Sequence, residues 1–315
     1  MLCADFCRQK SFYTPSETLI YKINTTGDIM RFIKGFLVIL LTLSLSLSAM
    51  AGMKSVTVEG NSYAAPQPII IQGPMPIEAQ HFAALLDDVT IEKTGIFVFY
   101  KGTLNGYPVI VSQTGKGLEN TAAATAIAIE RYKPIAIINQ GTSGGHDKNL
   151  NVADIVLGKR TVNIGNLKTP KAKEGEGSNS LTWIPMDIMA SAGTAGGDDA
   201  NKIRYYEGSS ELIASAHKVK YTEGKVVEGT IGSANFWNSE LDRVNWFHDN
   251  FGTSTEEMES ASAAQISEAY HVPFLAIRIL SNNITNGGHY NPDTAKYCQS
   301  YVKEVVVQYI SDINK

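Results

Sequence analysis

Apolar positions along the chain fall into compact runs that alternate with stretches of helical spacing, and the alternation becomes regular from residue 68. Pro68–Gln72 is a β-branched run that predicts a buried strand, and Glu78–Leu86 follows with the spacing of a helix face. Ile96–Tyr100 and Tyr107–Ser112 flank Asn105-Gly106, a pair suited to a tight hairpin turn because both residues tolerate positive φ. Thr121–Arg131 is Ala-rich and helical, Pro134–Asn139 is another apolar strand, and Asp154–Gly158 continues the sheet. Order resumes near Glu211–Val219. Gly224–Gly232 reads as a strand, Ser260–Tyr270 as a helix, Pro273–Leu280 as a buried strand and Asp293–Ile310 as a closing amphipathic helix. Strand–helix alternation of this kind predicts an α/β layer fold, and the hairpin makes its sheet mixed rather than purely parallel.

Two regions stand outside this pattern. Between residues 166 and 204 the chain turns charged and Gly-rich (Lys168–Ser180), then small and acidic (Ser191–Ala200). Such a stretch has little power to form a core and predicts a surface insertion or lid. At the other end, Met30-Arg31-Phe32-Ile33-Lys34 is a short basic segment leading into the apolar run Phe36–Leu47, followed by Ala49-Met50-Ala51. Basic, apolar and small-residue segments in that order form a secretory signal peptide over residues 30–51. The apolar run is well short of the ~20 residues of a spanning helix. The expectation is therefore a secreted or periplasmic protein with no stable membrane insertion after processing. Residues 1–29 read as an extension or a mis-assigned start, 52–67 as a polar lead-in, and 68–315 as one domain.

Composition narrows the classes. With 43% hydrophobic residues, 18% charged residues and a formal net charge of −4, the chain supports a large core and offers no basic stripe for nucleic acid. Of the cysteines Cys3, Cys7 and Cys298, only the last would survive processing, so no internal disulfide is expected. The six His residues form no metal-ligand spacing, and there is no nucleophile elbow of the G-x-S-x-G kind. His289, after the Asn282 loop, could cap a ligand pocket, but the favoured reading is a surface-loop residue.

Four segments place polar groups at the ends of apolar strands, where open α/β sheets bind ligands. Gln72–Glu78 follows a strand and begins a helix, so Glu78 could be no more than a helix-terminal charge. Thr114–Asn120 is a Gly-containing turn that lacks the dinucleotide fingerprint. Asn139–Gly145 is expected to end its strand as a turn that turns N–H groups and hydroxyls toward a ligand. Thr255–Ser260 places three acids around a Met, a poor choice for capping alone because like charges repel.

Taken in order, Gly73-x-Met75-x-x-Glu78, Asn139-x-Gly141-Thr142-x-Gly144-Gly145, Glu257-Met258-Glu259 and Ile277-Arg278-Ile279-Leu280-Ser281 resemble the purine nucleoside phosphorylase/nucleosidase superfamily. The similarity is greatest to 5′-methylthioadenosine/S-adenosylhomocysteine nucleosidases, over roughly residues 68–312. The resemblance implies a three-layer fold with a central mixed β-sheet flanked by helices, a homodimer, and N-glycosidic cleavage of a purine (methylthio)nucleoside without a cofactor. It also implies roles. Glu78 would activate the attacking water, and Glu259 would hold the ribose hydroxyls with Met258 packed under the sugar. Thr142 and Arg278 would line the water or anion side of the sugar, Gly144 would be a further substrate-binding position, Phe236 would stack on the purine, and Trp237 would lie at the base edge.

One position departs from the resembling family. Where those nucleosidases carry an Asp that protonates purine N7, this chain has Asn282, which can donate a hydrogen bond but not a proton. Three readings stay open: a nucleosidase, a phosphorylase with phosphate as co-substrate and a 6-oxopurine preference through Asn282, and a nucleoside-binding protein with little catalysis. Lys116 is the one cation in the Thr114–Asn120 turn, which tilts the expectation toward hydrolysis.

Overall fold

The computed structural model describes residues 66–189 and 202–315, all within one compact unit. The segments assigned to 1–29 and 30–51, most of the lead-in 52–67, and residues 190–201 of the insertion lie outside the described residues.

The elements run β1 (Ile69–Gly73), α1 (Pro76–Ala83), β2 (Asp87–Thr94), β3 (Phe97–Leu104), β4 (Tyr107–Gln113), α2 (Leu118–Tyr132), β5 (Ala136–Gly145) and β6 (Ile155–Asn163). Short pairs follow: β7 (Leu167–Lys168) with β8 (Ile184–Pro185), and β9 (Ile188–Met189) with β10 (Lys202–Ile203). Then come β11 (Tyr205–Glu207), α3 (Ser210–His217), β12 (Val226–Ser233), α4 (Leu241–Phe251), β13 (Thr253–Glu257), α5 (Ser260–Ala269), β14 (Phe274–Asn282) and α6 (Thr294–Ile313).

Ten strands form one mixed sheet. Strand β1 lies parallel between β4 and β5, and the β2–β3–β4 meander carries the sheet to one edge. The Asn105-Gly106 turn has the expected positive φ at both residues. Strand β5 is long enough to serve two neighbourhoods. Its first half pairs with β1, and its end pairs antiparallel with β13. Strand β14 runs parallel to β5 and antiparallel to β6, β6 pairs with β12, and β12 pairs with β13. Those five strands close a circuit, a feature that the alternation of strands and helices does not announce.

Alternation along β1 builds the layers. Ile69 and Ile71 point into a core with Phe82 of α1 and Val302 and Val305 of α6. Ile70 points the other way, onto Ala128 and Ile129 of α2 and Ala263 and Ala264 of α5. Side chains two apart share a face of a strand, so one apolar triplet fills both interfaces. Cys298 is fully buried in the first of these cores.

The described part of the insertion is largely exposed and tethered at a few points. Arg204 Nε sits 2.6 Å from Asp187 Oδ1, and Arg243 Nη1 of α4 donates to the Ser180 carbonyl at 2.7 Å.

Candidate active site

The carboxyl ends of β1, β4, β5, β12, β13 and β14, with the turns that follow them, surround a cavity that opens to solvent. Glu78, Thr142, Gly144, Phe236, Trp237, Met258, Glu259 and Asn282 all line it. Arg278 does not. It is fully buried beneath the cavity floor, which corrects the expectation that it lines the water or anion side of the sugar. The reason is that its guanidinium is spent on the protein. Nη2 contacts Glu257 Oε2 at 2.6 Å and also donates to Asn139, Nη1 lies 3.4 Å from Glu259 Oε2 and donates to the Thr142 carbonyl, and Nε donates to Ser260.

Glu78 is not a surface helix charge. It is 1% exposed, and its Oε1 accepts from both the backbone N–H and the hydroxyl of Thr142, at 2.8 and 2.9 Å. Its Oε2 is buried and has no hydrogen-bond partner among the described residues. Gly141 makes this possible: a Cβ there would lie 2.8 Å from Glu78 Oε1 and 2.7 Å from Arg278 Nη1. The segment 139–145 also differs from the expected turn. It continues β5 to Gly145, because β14 on one side and β13 on the other satisfy its backbone. The backbone of this stretch is thus committed to strand pairing and forms no nest of free N–H groups.

The three acids of the fourth segment have three separate jobs. Glu257 turns inward and accepts from the N–H groups of Glu259 and Ser260, and from the Ser233 hydroxyl, while pairing with Arg278. It thereby satisfies donors at the start of α5 that a helix leaves unpaired. Glu259 is 3% exposed and accepts from Gly117 N at 2.9 Å. Burial pushes its carboxyl up to about 8; Glu257 adds to the rise, and Arg278 and the Gly117 N–H oppose it. Glu256 faces the cavity and is held by Asn238 N and Nδ2 at 3.1 and 2.6 Å.

At the far end of the cavity Phe236 lies parallel to Phe247 (5.5 Å, 14°), and Phe247 lies parallel to His146 (6.1 Å, 10°). Trp237 is 70% exposed and meets Tyr290 edge-on at the rim. Asn282 Oδ1 accepts from Ser281 Oγ at 3.1 Å, which leaves its NH₂ without an acceptor among the described residues. His289 is exposed, and Tyr290 takes the place at the mouth. No described group of three or more His, Cys, Asp or Glu residues is arranged to hold a metal ion.

With this geometry in view, the sequence matches the phosphorylase superfamily over residues 68–311. The chain belongs to the phosphorylase superfamily. Among superfamily members, it is 30% identical over 217 residues to a 5′-methylthioadenosine/S-adenosylhomocysteine nucleosidase of Bacillus cereus, covering 68% of this chain and 85% of the relative. A Colwellia psychrerythraea nucleosidase of the same name, solved with adenine, superposes with a TM-score of 0.61 at 26% identity, over 78% of this chain and 95% of that one. The futalosine hydrolase of Helicobacter pylori shares the fold with a TM-score of 0.61 at 22% identity, over 76% and 97%. The superfamily's mixed sheet flanked by helices is the architecture observed here.

Sequence reasoning missed His146, Glu256, Asn238 and Tyr290, all of which line the cavity. In Thr253–Glu257 the odd positions are buried and the even ones half-buried, a period of two that separates Glu256 from Glu257, but Thr-Ser-Thr-Glu-Glu is polar throughout and carries no such alternation in sequence.

Proposed function

We propose that this protein is a purine nucleoside N-glycosidase, which hydrolyses the bond between a purine and the anomeric carbon of its sugar. The observation that carries the reading is the Glu78 carboxylate: one oxygen is pinned by Thr142, and the other is buried at the cavity without a partner. Such a group can accept a proton from a water attacking the anomeric carbon, an effect of about 10²–10⁴-fold. Glu259 sits where it can hold sugar hydroxyls, with Met258 beneath them, and Phe236 offers a ring face to the base. As the bond breaks, positive charge grows on the sugar beside the carboxylates and negative charge on the purine beside the Asn282 NH₂. The relatives named above, nucleosidases of methylthioadenosine and adenosylhomocysteine, support a 5′-thio nucleoside as substrate.

Hydrolysis is favoured over phosphorolysis. At the start of α2, the natural anion site of a helix, Gly117 N is taken by Glu259 and Leu118 N by Asn235 Oδ1. Of the acids that line the cavity, Glu257 is paired with Arg278 and Glu259 is held largely protonated by its burial, so Glu78 and Glu256 stand against the single ammonium of Lys116. A phosphate dianion would meet two carboxylates and one ammonium there.

The test is release of free base from methylthioadenosine, adenosylhomocysteine, adenosine, inosine and guanosine, with and without phosphate. Release without phosphate, abolished in Glu78→Gln, is the expected result. Release only with phosphate assigns a phosphorylase, and tight binding without release assigns a nucleoside-binding protein. Export through residues 30–51 belongs to the same proposal, as does a homodimer. Cell fractionation and sedimentation test these two, and a cytoplasmic protein or a monomer would overturn them.

A further inference from the structure

The proposed function leaves open which purine the site takes, because the Asn282 NH₂ can donate to N7 of any purine. The sheet register places a second group beside it. Gly144 of β5 is paired on one side with Asn282 of β14 and on the other with Glu256 of β13. Residues opposite one another in a sheet project from the same face, so an amide and a carboxylate stand over a residue that has no side chain. A methyl group placed on Gly144 would lie 3.5 Å from Asn282 Nδ2 and 3.9 Å from Glu256 Cγ. Thr142, the partner of Glu78, is two residues back on the same strand and thus roughly 7 Å away. That is about the reach from a nucleoside's anomeric carbon to the substituent at purine position 6.

Both groups are held in place. Ser281 Oγ, 3.1 Å from Asn282 Oδ1, fixes which face of the amide is turned away. Asn238 donates twice to Glu256, and His146 Nε2 lies 3.1 Å from Glu256 Oε2 but outside hydrogen-bond geometry. The side chain of Glu256 is 12% exposed, toward the cavity. A carboxylate accepts at about four lone-pair sites, so acceptor capacity remains for a ligand.

We propose that Glu256 and Asn282 together read the N7–C6 edge of the base, and that Glu256 makes the site selective for 6-aminopurines over 6-oxopurines. The 6-aminopurine edge offers an acceptor at N7 and a donor at the exocyclic N6; the 6-oxopurine edge offers two acceptors, N7 and O6. Asn282 donates to N7 in either case. Glu256 accepts from the N6 amino group but opposes O6 with another acceptor. Asn238 holds Glu256, and His146 beside it lies flat against Phe247, which in turn lies flat against Phe236, the base-stacking ring.

This inference rests on the cavity binding a purine. Its test uses two readouts, so that its failure and the failure of the nucleosidase reading are separable. The first is kcat/KM for adenosine-type against inosine-type nucleosides with the same sugar. The second is calorimetric binding of free adenine and hypoxanthine. The wild type is expected to favour the 6-amino compound by about 10²-fold or more in the first readout, and to bind adenine more tightly in the second. In Glu256→Gln, whose amide can turn its NH₂ toward O6, both gaps should close by at least about tenfold. An unchanged ratio in Glu256→Gln, a wild-type preference for the 6-oxo compound, or binding of neither base overturns the inference. Discrimination between free bases that depends on Glu256, without any glycosidic cleavage, supports it while overturning the nucleosidase reading.

Discussion

Glu257 and Glu259 are two residues apart, belong to one motif and both touch Arg278, yet their removal should have opposite consequences. Glu257→Ala would leave a fully buried guanidinium without its nearest counter-charge, 2.6 Å away. It would also strip the acceptor from two N–H groups at the start of α5. Breaking a buried pair from one side costs about 3–5 kcal/mol, and an undone helix start adds about 0.5–2 kcal/mol. For a domain stable by about 5–15 kcal/mol, at roughly 2–4 °C per kcal/mol, Tm should fall by roughly 7–28 °C or the variant should not accumulate. Glu259 is different because burial raises its carboxyl from 4.5 to about 8. A folded-state value above the unfolded one means that its contribution is greatest below about 4.5 and is lost as pH rises through about 8. Glu259→Gln should therefore match the wild type near pH 4.5 and gain on it as pH rises from there to about 8, levelling off above, while nucleoside affinity collapses. Urea titrations at acid, neutral and mildly alkaline pH, with ligand binding measured in parallel, check both halves. The reasoning fails if Glu259→Gln unfolds as readily as Glu257→Ala, if the wild type tracks it at every pH, or if its affinity is unchanged.

Other expectations follow from single contacts. Gly141→Ala should lose about 1–3 kcal/mol of stability and most turnover, since its methyl would collide with two buried charged groups that cannot swing away; wild-type melting and activity would contradict this. Phe236→Ala should weaken purine binding by about 0.5–1.5 kcal/mol, seen as a rise in Kd of up to about tenfold; an unchanged Kd removes the stacking role. Asn282→Asp should speed cleavage of 6-aminopurines by at least about tenfold. The introduced carboxyl would stand beside Glu256, and a like charge favours its protonated form, which can pass a proton to N7. No gain would mean that leaving-group protonation does not limit the rate.

Much of the fold was legible because periodicity and burial agree. Ile69–Ile71 and Phe274–Leu280 are continuous apolar runs, and both are fully or nearly fully buried strands. Strand β2 was missed because it is an exposed edge of Asp, Thr, Glu and Lys with only Val89 and Ile91 to mark it. Helix α4 was missed because its apolar stripe of Val244, Phe247 and Phe251 is interleaved with charged and polar residues. The end of β5 was misread for a different reason. Gly, Thr and Ser are turn formers in isolation, and only pairing with two neighbouring strands makes residues 140–145 extended. The same non-local pairing hid Glu256, because a residue's face on a strand is invisible until the strand is recognised. Glu78, Glu259 and Phe236 were reachable through motif order, whereas the burial of Arg278 was not: its partners Asn139, Thr142, Glu257 and Ser260 come from two stretches of chain far from it in sequence.

Beneath the cavity floor, Gln72 bonds to Thr125 and to Asn139, and Asn139 to Ser260 and Arg278, so one polar lattice ties β1, α2, β5, α5 and β14 together. Folding and ligand recognition therefore draw on the same atoms at this depth. Laboratory evolution of new base preferences should then accumulate changes at the strand tips, at positions such as 256 and 282, where a side chain can be exchanged without unthreading the weave below. Substitutions one layer down should be purged for insolubility before any altered selectivity can be scored.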